Sequence, residues 1–261
     1  MQRMSRHMSE LALNNPLVRQ DLLRKRLQDG TQLVAADLAG EFGISLDTIR
    51  RDLLMLEQQG YAQRVRGGAV PATKPLQPLR QRRQSPDRDV SALANAALPL
   101  IKPGMSLILD GGTTLAKLAE RIEPLPDLLV ITPSPVIATI LLDKDIPTYL
   151  LGGRISQWGG VAVGREAERA LAAMAVDLAF LGVCGLDDTF GLSSDDCDEA
   201  ALQLSMARAA RSTAVICRKE KLGRKARHRV LDPDQLSFVI TDADAASMLP
   251  FKEVGAEIIH V

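Results

Sequence analysis

Apolar residues recur at two distinct periods along this chain. In the stretch SLDTIRRDLLMLEQQG, residues 45–60, they fall at Leu46, Ile49, Leu53 and Leu56. Spacings of three, four and three predict a helix with one continuous apolar stripe. Ser45 stands where an N-cap belongs, and Gly60 where the helix stops. Two further helices precede it. Asn15-Pro16 opens one that runs to Asp29-Gly30, and VAADLAGEF, stopping at Gly43, forms the other. The run YAQRVRGGAV then reads as two strands turning at Gly67-Gly68. Three helices followed by a hairpin predict a winged helix-turn-helix.

From Leu107 onward the pattern changes to short, continuous apolar runs separated by helical ones. LILD, LLVIT, TYLLGG, DLAFLGVCG, TAVIC, FVITD and EIIHV are the predicted strands. Helices are expected to end near Arg121 and Leu142, and to span about Glu166–Ala175 and Asp198–Arg211. Strands apolar on both sides, alternating with helices, predict an α/β domain whose sheet is mostly parallel and covered on both faces. Between the two patterns lies KPLQPLRQRRQSPDRD, residues 74–89, with three prolines and a mixed charge run. That composition suits a linker rather than a packed element. The expected division is therefore a head over 1–73, a linker over 74–89 and a body over 90–261.

Net charge is zero over 261 residues, but residues 1–85 hold 14 Lys/Arg against 8 Asp/Glu, and the rest 18 against 24. A basic head on an acidic body suggests a polyanionic partner for the head. At about 100° per residue, Asp47, Thr48 and Arg51 lie opposite the apolar stripe, with Arg50 on its shoulder. A short third helix after a tight glycine turn can enter a major groove with its first residues against base edges. Arginine there can pair with guanine or hold a phosphate, and Thr48 can meet a phosphate or a thymine methyl. Arg64 and Arg66, read as lying on one strand of the wing and pointing the same way, suit phosphates or a minor groove. An isolated Arg-Arg pair is ordinarily just a solvated face. The turn, stripe and basic wing in series favour DNA.

The predicted carboxyl ends of the body strands carry a different chemistry. Asp110-Gly111-Gly112-Thr113-Thr114 joins a strand to a helix, where glycines admit an anion, the helix N-terminus favours it and threonines add donors. The same residues also serve as an ordinary turn and cap. Gly152-Gly153-Arg154 and Lys221 before Gly223 bring further positive charge to other strand ends.

The run DLAGEFGISLDTIRRDLLMLEQQGYAQRVRGGAV resembles the DNA-binding head of the DeoR family of repressors. The likeness implies that Ser45, Thr48, Arg50 and Arg51 belong to the recognition helix, and Arg64 and Arg66 to the wing. LDGGTT, LLGGRI, FLGVCGLDDTFGLSSDD with Glu199, and KEKLGR follow in the order of DeoR-type effector domains, so the resemblance covers nearly the whole chain. Those domains are similar to ribose-5-phosphate isomerase and sense phosphorylated sugars or related intermediates. The resemblance implies a phosphate site at Gly111, Gly112, Thr113 and Thr114. It places Asp110, Thr132, Ser134, Gly153, Arg154, Gly185, Glu199 and Lys221 around the sugar. Three positions depart from the family pattern: Pro133 in place of Asn, Gln203 in place of Lys and Arg218 in place of Asp. Positive charge around the pocket is thereby redistributed.

Function is thus expected to be transcriptional regulation, probing double-stranded operator DNA as a homo-oligomer (dimer or tetramer), with affinity set by a phosphorylated sugar. An oligomer is expected because one short recognition helix reads too few bases for useful specificity. No apolar run reaches the roughly 18 residues of a membrane span. Arg3, Arg6 and His7 precede no secretory apolar segment, so a cytoplasmic location is expected. Cys184, Cys197 and Cys217 are too scattered for a disulfide framework or metal site, and no metal, cofactor or catalytic residue is expected. Cys184 is read as pocket lining, Trp158 as a loop anchor, and the basic run 218–229 as a solvated loop with one functional lysine, Lys221. The rival reading is an aldose–ketose phosphate isomerase with a DNA-binding appendage, using Asp110 or Glu199 as base and Lys221 as electrophile.

Overall fold

The computed structural model describes residues 15–28, 31–58, 61–71, 78–84 and 90–261. The expected helix ends at Asp29-Gly30 and at Gly60, the N-terminal Arg3, Arg6 and His7, and residues 74–77 and 85–89 of the linker lie outside that description. Contacts divide the chain into two units, residues 1–75 and 76–261.

In the first unit, α1 (Pro16–Gln28), β1 (Leu33–Val34), α2 (Ala35–Phe42) and α3 (Leu46–Gln58) precede the wing strands β2 (Ala62–Val65) and β3 (Gly68–Pro71). Ile49, Leu53 and Leu56 of α3 are buried against Leu23, Leu27, Leu38 and Phe42. Each such side chain contributes about 1.5–3 kcal/mol on burial, so packing rather than propensity holds this helix. Leu46, expected at the head of the stripe, is exposed, because it lies in the first turn where α3 projects from the core.

The wing differs from expectation in two ways. Val65 pairs with Gly68, so the turn is Arg66-Gly67 and not Gly67-Gly68. Gly67 takes the positive φ of 91° that the turn needs. Gly68 is claimed by the sheet instead: a Cβ there would lie 1.9 Å from Leu33 O, across a β1–β3 pairing that local pattern did not reveal. Arg66 therefore sits in the turn, and Arg64 alone of the two lies on a strand.

The second unit begins with α4 (Leu79–Gln84), within the segment expected to be an unpacked linker. Leu79 is buried, which packs this helix against the body despite its three arginines and the three prolines that flank it. There follow α5 (Ser91–Ala97), β4 (Ser106–Leu109), α6 (Thr113–Arg121), β5 (Leu129–Thr132), α7 (Pro135–Leu142) and β6 (Thr148–Leu150). A hairpin of β7 (Arg154–Ser156) and β8 (Val161–Val163) leads to α8 (Arg165–Ala172) and β9 (Val176–Leu181). Next come β10 (Gly185–Asp187), β11 (Gly191–Ser194), α9 (Cys197–Ala209), β12 (Ala210–Cys217) and β13 (His228–Leu231). The domain closes with β14 (Phe238–Thr241), α10 (Ala245–Glu253) and β15 (Glu257–His260). The long helix thus ends at Ala209, two residues short of its expected end, where β12 takes over the chain.

Seven strands form one sheet in the order β15-β14-β12-β9-β4-β5-β6, every neighbouring pair parallel. Successive residues of each strand face opposite sides, which is why these runs are apolar throughout. Leu107, Leu109, Leu178 and Phe180 pack with α5, α6 and α7, whereas Ile108, Ala179 and Leu181 pack with α8, α9 and α10. Starting from β4 the chain winds outward to β6 and then returns to β9 on the other side of β4. The strand order therefore reverses between β4 and β9, and open sheets of this kind bind ligands beyond the carboxyl ends at such a reversal. A small antiparallel sheet, β10-β11-β13, stands apart from the main one. No helix among the described residues is long and apolar enough to cross a membrane.

Candidate functional site

Two surfaces carry the expected chemistry. In the head, Ser45 Oγ accepts the Thr48 amide at 3.1 Å and lies 2.8 Å from Thr48 Oγ1, so the cap also orients the threonine. Asp47, Arg50 and Arg51 are exposed, and Arg50 reaches Asp47 at 3.3 Å. A pair so exposed is worth less than about 1 kcal/mol and opens readily to a phosphate. Arg64 and Arg66 are also exposed, and Glu57 ties the wing to the end of α3 by accepting the Arg64 amide at 2.9 Å.

What holds α3 in place was missed from sequence. Asp52 is 3% exposed and ion-paired with Arg19, also 3% exposed, at 2.5 Å; Gln20 Nε2 donates to its other oxygen at 3.1 Å. The available signal was spacing, since an acid three residues after Ile49 and four before Leu56 falls on the buried face.

In the body, the ends of β4 and β9 meet at Asp110. Its carboxylate accepts from the amides of Gly111 at 2.7 Å and Gly182 at 2.8 Å, and from Gln203 Nε2 at 2.7 Å. Gln203 also donates to Gly182 O at 3.0 Å, which orients its amide. Glu199, one turn earlier on α9, accepts from Ser156 Oγ at 2.6 Å and the Gly159 amide at 2.5 Å. Gly159 O in turn lies where a Cβ on Gly111 would come within 2.7 Å. Lys221 donates to Val183 O, beside Gly182. Asp110, Gly111 and Glu199 thus converge, with Gly182, Gln203 and Ser156 added by the fold, and Lys221 reaches the end of the same strand β9 through Val183. Gly112 precedes α6 at φ 104°, and Thr113 and Thr114 form its first turn, whose amides have no intrahelical acceptor.

The other expected residues are placed differently. Thr132 Oγ1 donates to Leu109 O at 2.7 Å and accepts the Ser134 amide, and Ser134 caps α7. Both are fully buried and occupied in joining β5 to its neighbours. Gly153 is set by close approach, a Cβ there falling 2.7 Å from Val163 O. Arg154 is exposed at the rim and ion-paired with Asp198. Gly185 lies in the antiparallel sheet, 2.4 Å from Arg224 O if given a Cβ. Of the three departures, Gln203 is central, Pro133 O accepts the Ala162 amide at 2.8 Å, and Arg218 pairs with Glu220 at 3.1 Å.

Burial raises the Asp110 carboxyl above its ordinary value against the pull of the Gln203, Gly182 and Gly111 bonds. Glu199 is raised for the same reason, opposed by Ser156 and Gly159 and reinforced by the nearby Asp110 and Asp196. Burial lowers Lys221, and pushes the Cys217 thiol up to about 12, which keeps it neutral. A carboxyl raised on folding stabilises the folded state below the ordinary carboxylate range and loses that contribution as pH climbs through its raised value. Glu199→Gln keeps Oε1 for Ser156 and Gly159 while removing the charge. Its melting temperature should gain on the parent as pH climbs above the ordinary carboxylate value, and the gain should level off once pH passes the raised value of Glu199. A difference independent of pH would show that Glu199 is not raised. Among the described residues, no group of three or more His, Cys, Asp or Glu could hold a metal ion.

Known proteins bear on both surfaces. Residues 19–74 match the DeoR-like helix-turn-helix domain, and residues 89–243 match the DeoR C-terminal sensor domain. The chain is 30% identical over 256 residues to the HTH-type transcriptional regulator GlpR of Haloferax volcanii, covering 94% of this chain and 97% of the relative. It is 30% identical to the HTH-type transcriptional repressor GlcR of Bacillus subtilis, over 76% of this chain and 78% of that one. It is 26% identical to the glycerol-3-phosphate regulon repressor of Escherichia coli K12, over 79% and 83%. Among solved structures, ribose 5-phosphate isomerase A of Methanocaldococcus jannaschii aligns at 20% identity over 51% of this chain and 53% of its own, with a TM-score of 0.38. Matched in its head and in its body, and along nearly its whole length to a transcriptional regulator, this chain belongs to the DeoR family: it is a DNA-binding transcriptional regulator with a winged helix-turn-helix head and a C-terminal sensor domain.

Proposed function

We propose that the chain represses an operon of carbohydrate metabolism and that a phosphorylated sugar, bound at the β4–β9 crevice, sets its affinity for operator DNA. The observation that carries this reading is the convergence of Asp110, Gln203 and Glu199 beside the Gly111–Thr114 turn at the N-terminus of α6, with Lys221 held to Val183 at the end of β9. Carboxylates and an amide suit sugar hydroxyls, and the free amides of a first helical turn suit a phosphate. Support also comes from a relative named for the glycerol-3-phosphate regulon. Switching requires that the effector bind the DNA-competent and DNA-incompetent states of an oligomer with different affinity.

A thermal-shift screen against phosphorylated sugars and their unphosphorylated counterparts tests the sensor, since a ligand of the folded state stabilises it by mass action. A shift confined to phosphorylated members is expected; none with any member would remove the sugar-phosphate reading. For the head, Arg51→Ala should lose sequence preference as well as affinity, about 1–3 kcal/mol at the base it reads, whereas Arg66→Ala should weaken all DNA about equally and flatten the salt slope. Identical profiles for the two variants in salt-titrated binding to specific and random duplexes would refute that division. The isomerase alternative needs a carboxylate free to take a carbon-bound proton. Asp110 is engaged by three donors and Glu199 by two, which favours a site that binds without turnover.

A further inference from the structure

The segment between the two matched domains reaches into the sensor site. α4 packs on the loop between β7 and β8: the Leu79 amide donates to Gln157 O at 3.0 Å, and Leu79 Cδ2 lies 2.2 Å from where a Cβ on Gly160 would stand. Three residues on, Arg82 donates to Trp158 O, next to the glycine that holds Glu199. Its guanidinium is near enough to Asp110 and Lys221 to bias the ionisation of both.

Two buried polar atoms here have no partner among the described residues: Arg82 Nε, a donor, and Gln203 Oε1, an acceptor. Gln203 is 6% exposed, and its amide orientation is set because Nε2 faces two acceptors, Asp110 and Gly182 O. A buried group without a partner costs about 1–3 kcal/mol, so a ligand that supplies both partners recovers that cost. A phosphorylated polyol does so, with phosphate oxygens for the guanidinium and a hydroxyl for Oε1. The neighbouring arginines are ion-paired, Arg154 with Asp198, Arg218 with Glu220 and Arg224 with Asp195; Arg224 Nε also has no partner among the described residues, but a carboxylate already balances that guanidinium, whereas Arg82 donates to a neutral backbone carbonyl. Lys221 is a compact ammonium that burial disfavours, whereas a guanidinium keeps its charge and grips phosphate with two parallel bonds.

We infer that Arg82 is an effector-binding residue supplied by the linker helix, and that its grip on the effector phosphate ties occupancy of the sensor site to the segment leading to the head. This deepens the sugar-phosphate reading and rests on it. Arg82 lies outside both matched segments, 19–74 and 89–243, so neither domain by itself contains the whole site.

The test uses the full chain and its single tryptophan, Trp158, as a fluorescence reporter. Wild type, Arg82→Ala, Arg82→Lys and Leu79→Ala are titrated with glucose 6-phosphate, fructose 1-phosphate, ribose 5-phosphate, glycerol 3-phosphate, inorganic phosphate and the unphosphorylated sugars. For whichever phosphorylated member binds wild type best, Arg82→Ala should weaken binding at least tenfold and Arg82→Lys less. Leu79→Ala should also weaken it, by loosening α4 while keeping the charge. Weak binding of the unphosphorylated sugar should be unchanged in Arg82→Ala. Equal binding by wild type and Arg82→Ala overturns the inference and leaves the sensor reading intact. Equal weakening toward phosphorylated and unphosphorylated ligands also overturns it, since Arg82 would then only shape the loop. Wild type that binds no phosphorylated member overturns the inference together with the reading beneath it.

Discussion

Asp52→Ala is expected to unfold the head and abolish DNA binding while the body stays folded. The carboxylate is buried against Arg19, also buried, and takes a second bond from Gln20. Removing the carboxylate strips Arg19 of a buried ion pair and Gln20 of its acceptor, a loss of about 3–5 kcal/mol. Among the described residues the head core is small, formed by side chains such as Leu23, Leu38, Phe42, Ile49 and Leu56, so a loss of that size exceeds what so small a unit can absorb. The two-unit division predicts that the melting transition of the body, and the sugar-phosphate response proposed for it, persist. Replacing both partners, as in Arg19→Met with Asp52→Leu, removes the buried charges together and should restore much of the stability. Duplex-binding titrations and limited proteolysis of the three proteins check this. DNA affinity of Asp52→Ala within twofold of wild type would show that the pair does not hold α3.

Gly111→Ala should be the most damaging single methyl in the sensor. Its Cβ would fall 2.3 Å from Val161 Cγ1 and 2.7 Å from Gly159 O. Neither can yield cheaply: Val161 is buried in the core of one sheet face, and the Gly159 amide is bonded to Glu199. Overpacking of this kind costs about 1–3 kcal/mol, and here relief requires moving the β7–β8 loop away from β4, which separates Glu199 from Asp110. Sugar-phosphate affinity should drop at least tenfold, with DNA binding retained. Gly152→Ala is the matched control, since a Cβ there meets nothing within 4 Å and should change affinity less than twofold. Calorimetric titration of both variants settles the comparison; equal affinities would mean that this contact does not shape the site.

The elements that were legible are those whose cause is local. α3 shows in the spacing of Ile49, Leu53 and Leu56, and the central strands show as apolar runs because both sheet faces are buried. The wing turn was misplaced by one residue because Gly67 and Gly68 look alike in sequence. Only the approach of Leu33 O, from 35 positions earlier, distinguishes them. The helix at 79–84 was hidden for the same reason. Its six residues carry one apolar side chain, and that side chain finds its contacts at residues 157 and 160.

The amino-acid order by itself determined the two-domain plan, the exposed polar face of α3 and the Gly111–Thr114 turn, because caps, glycine turns and apolar periodicity act over a few residues. The tertiary structure decided which polar groups share a site. Asp110 meets Gln203 across 93 positions, and Arg82 meets Trp158 across 76. Such pairings follow from the strand order, which brings β4 beside β9 and lays α9 over their ends; no local pattern encodes them.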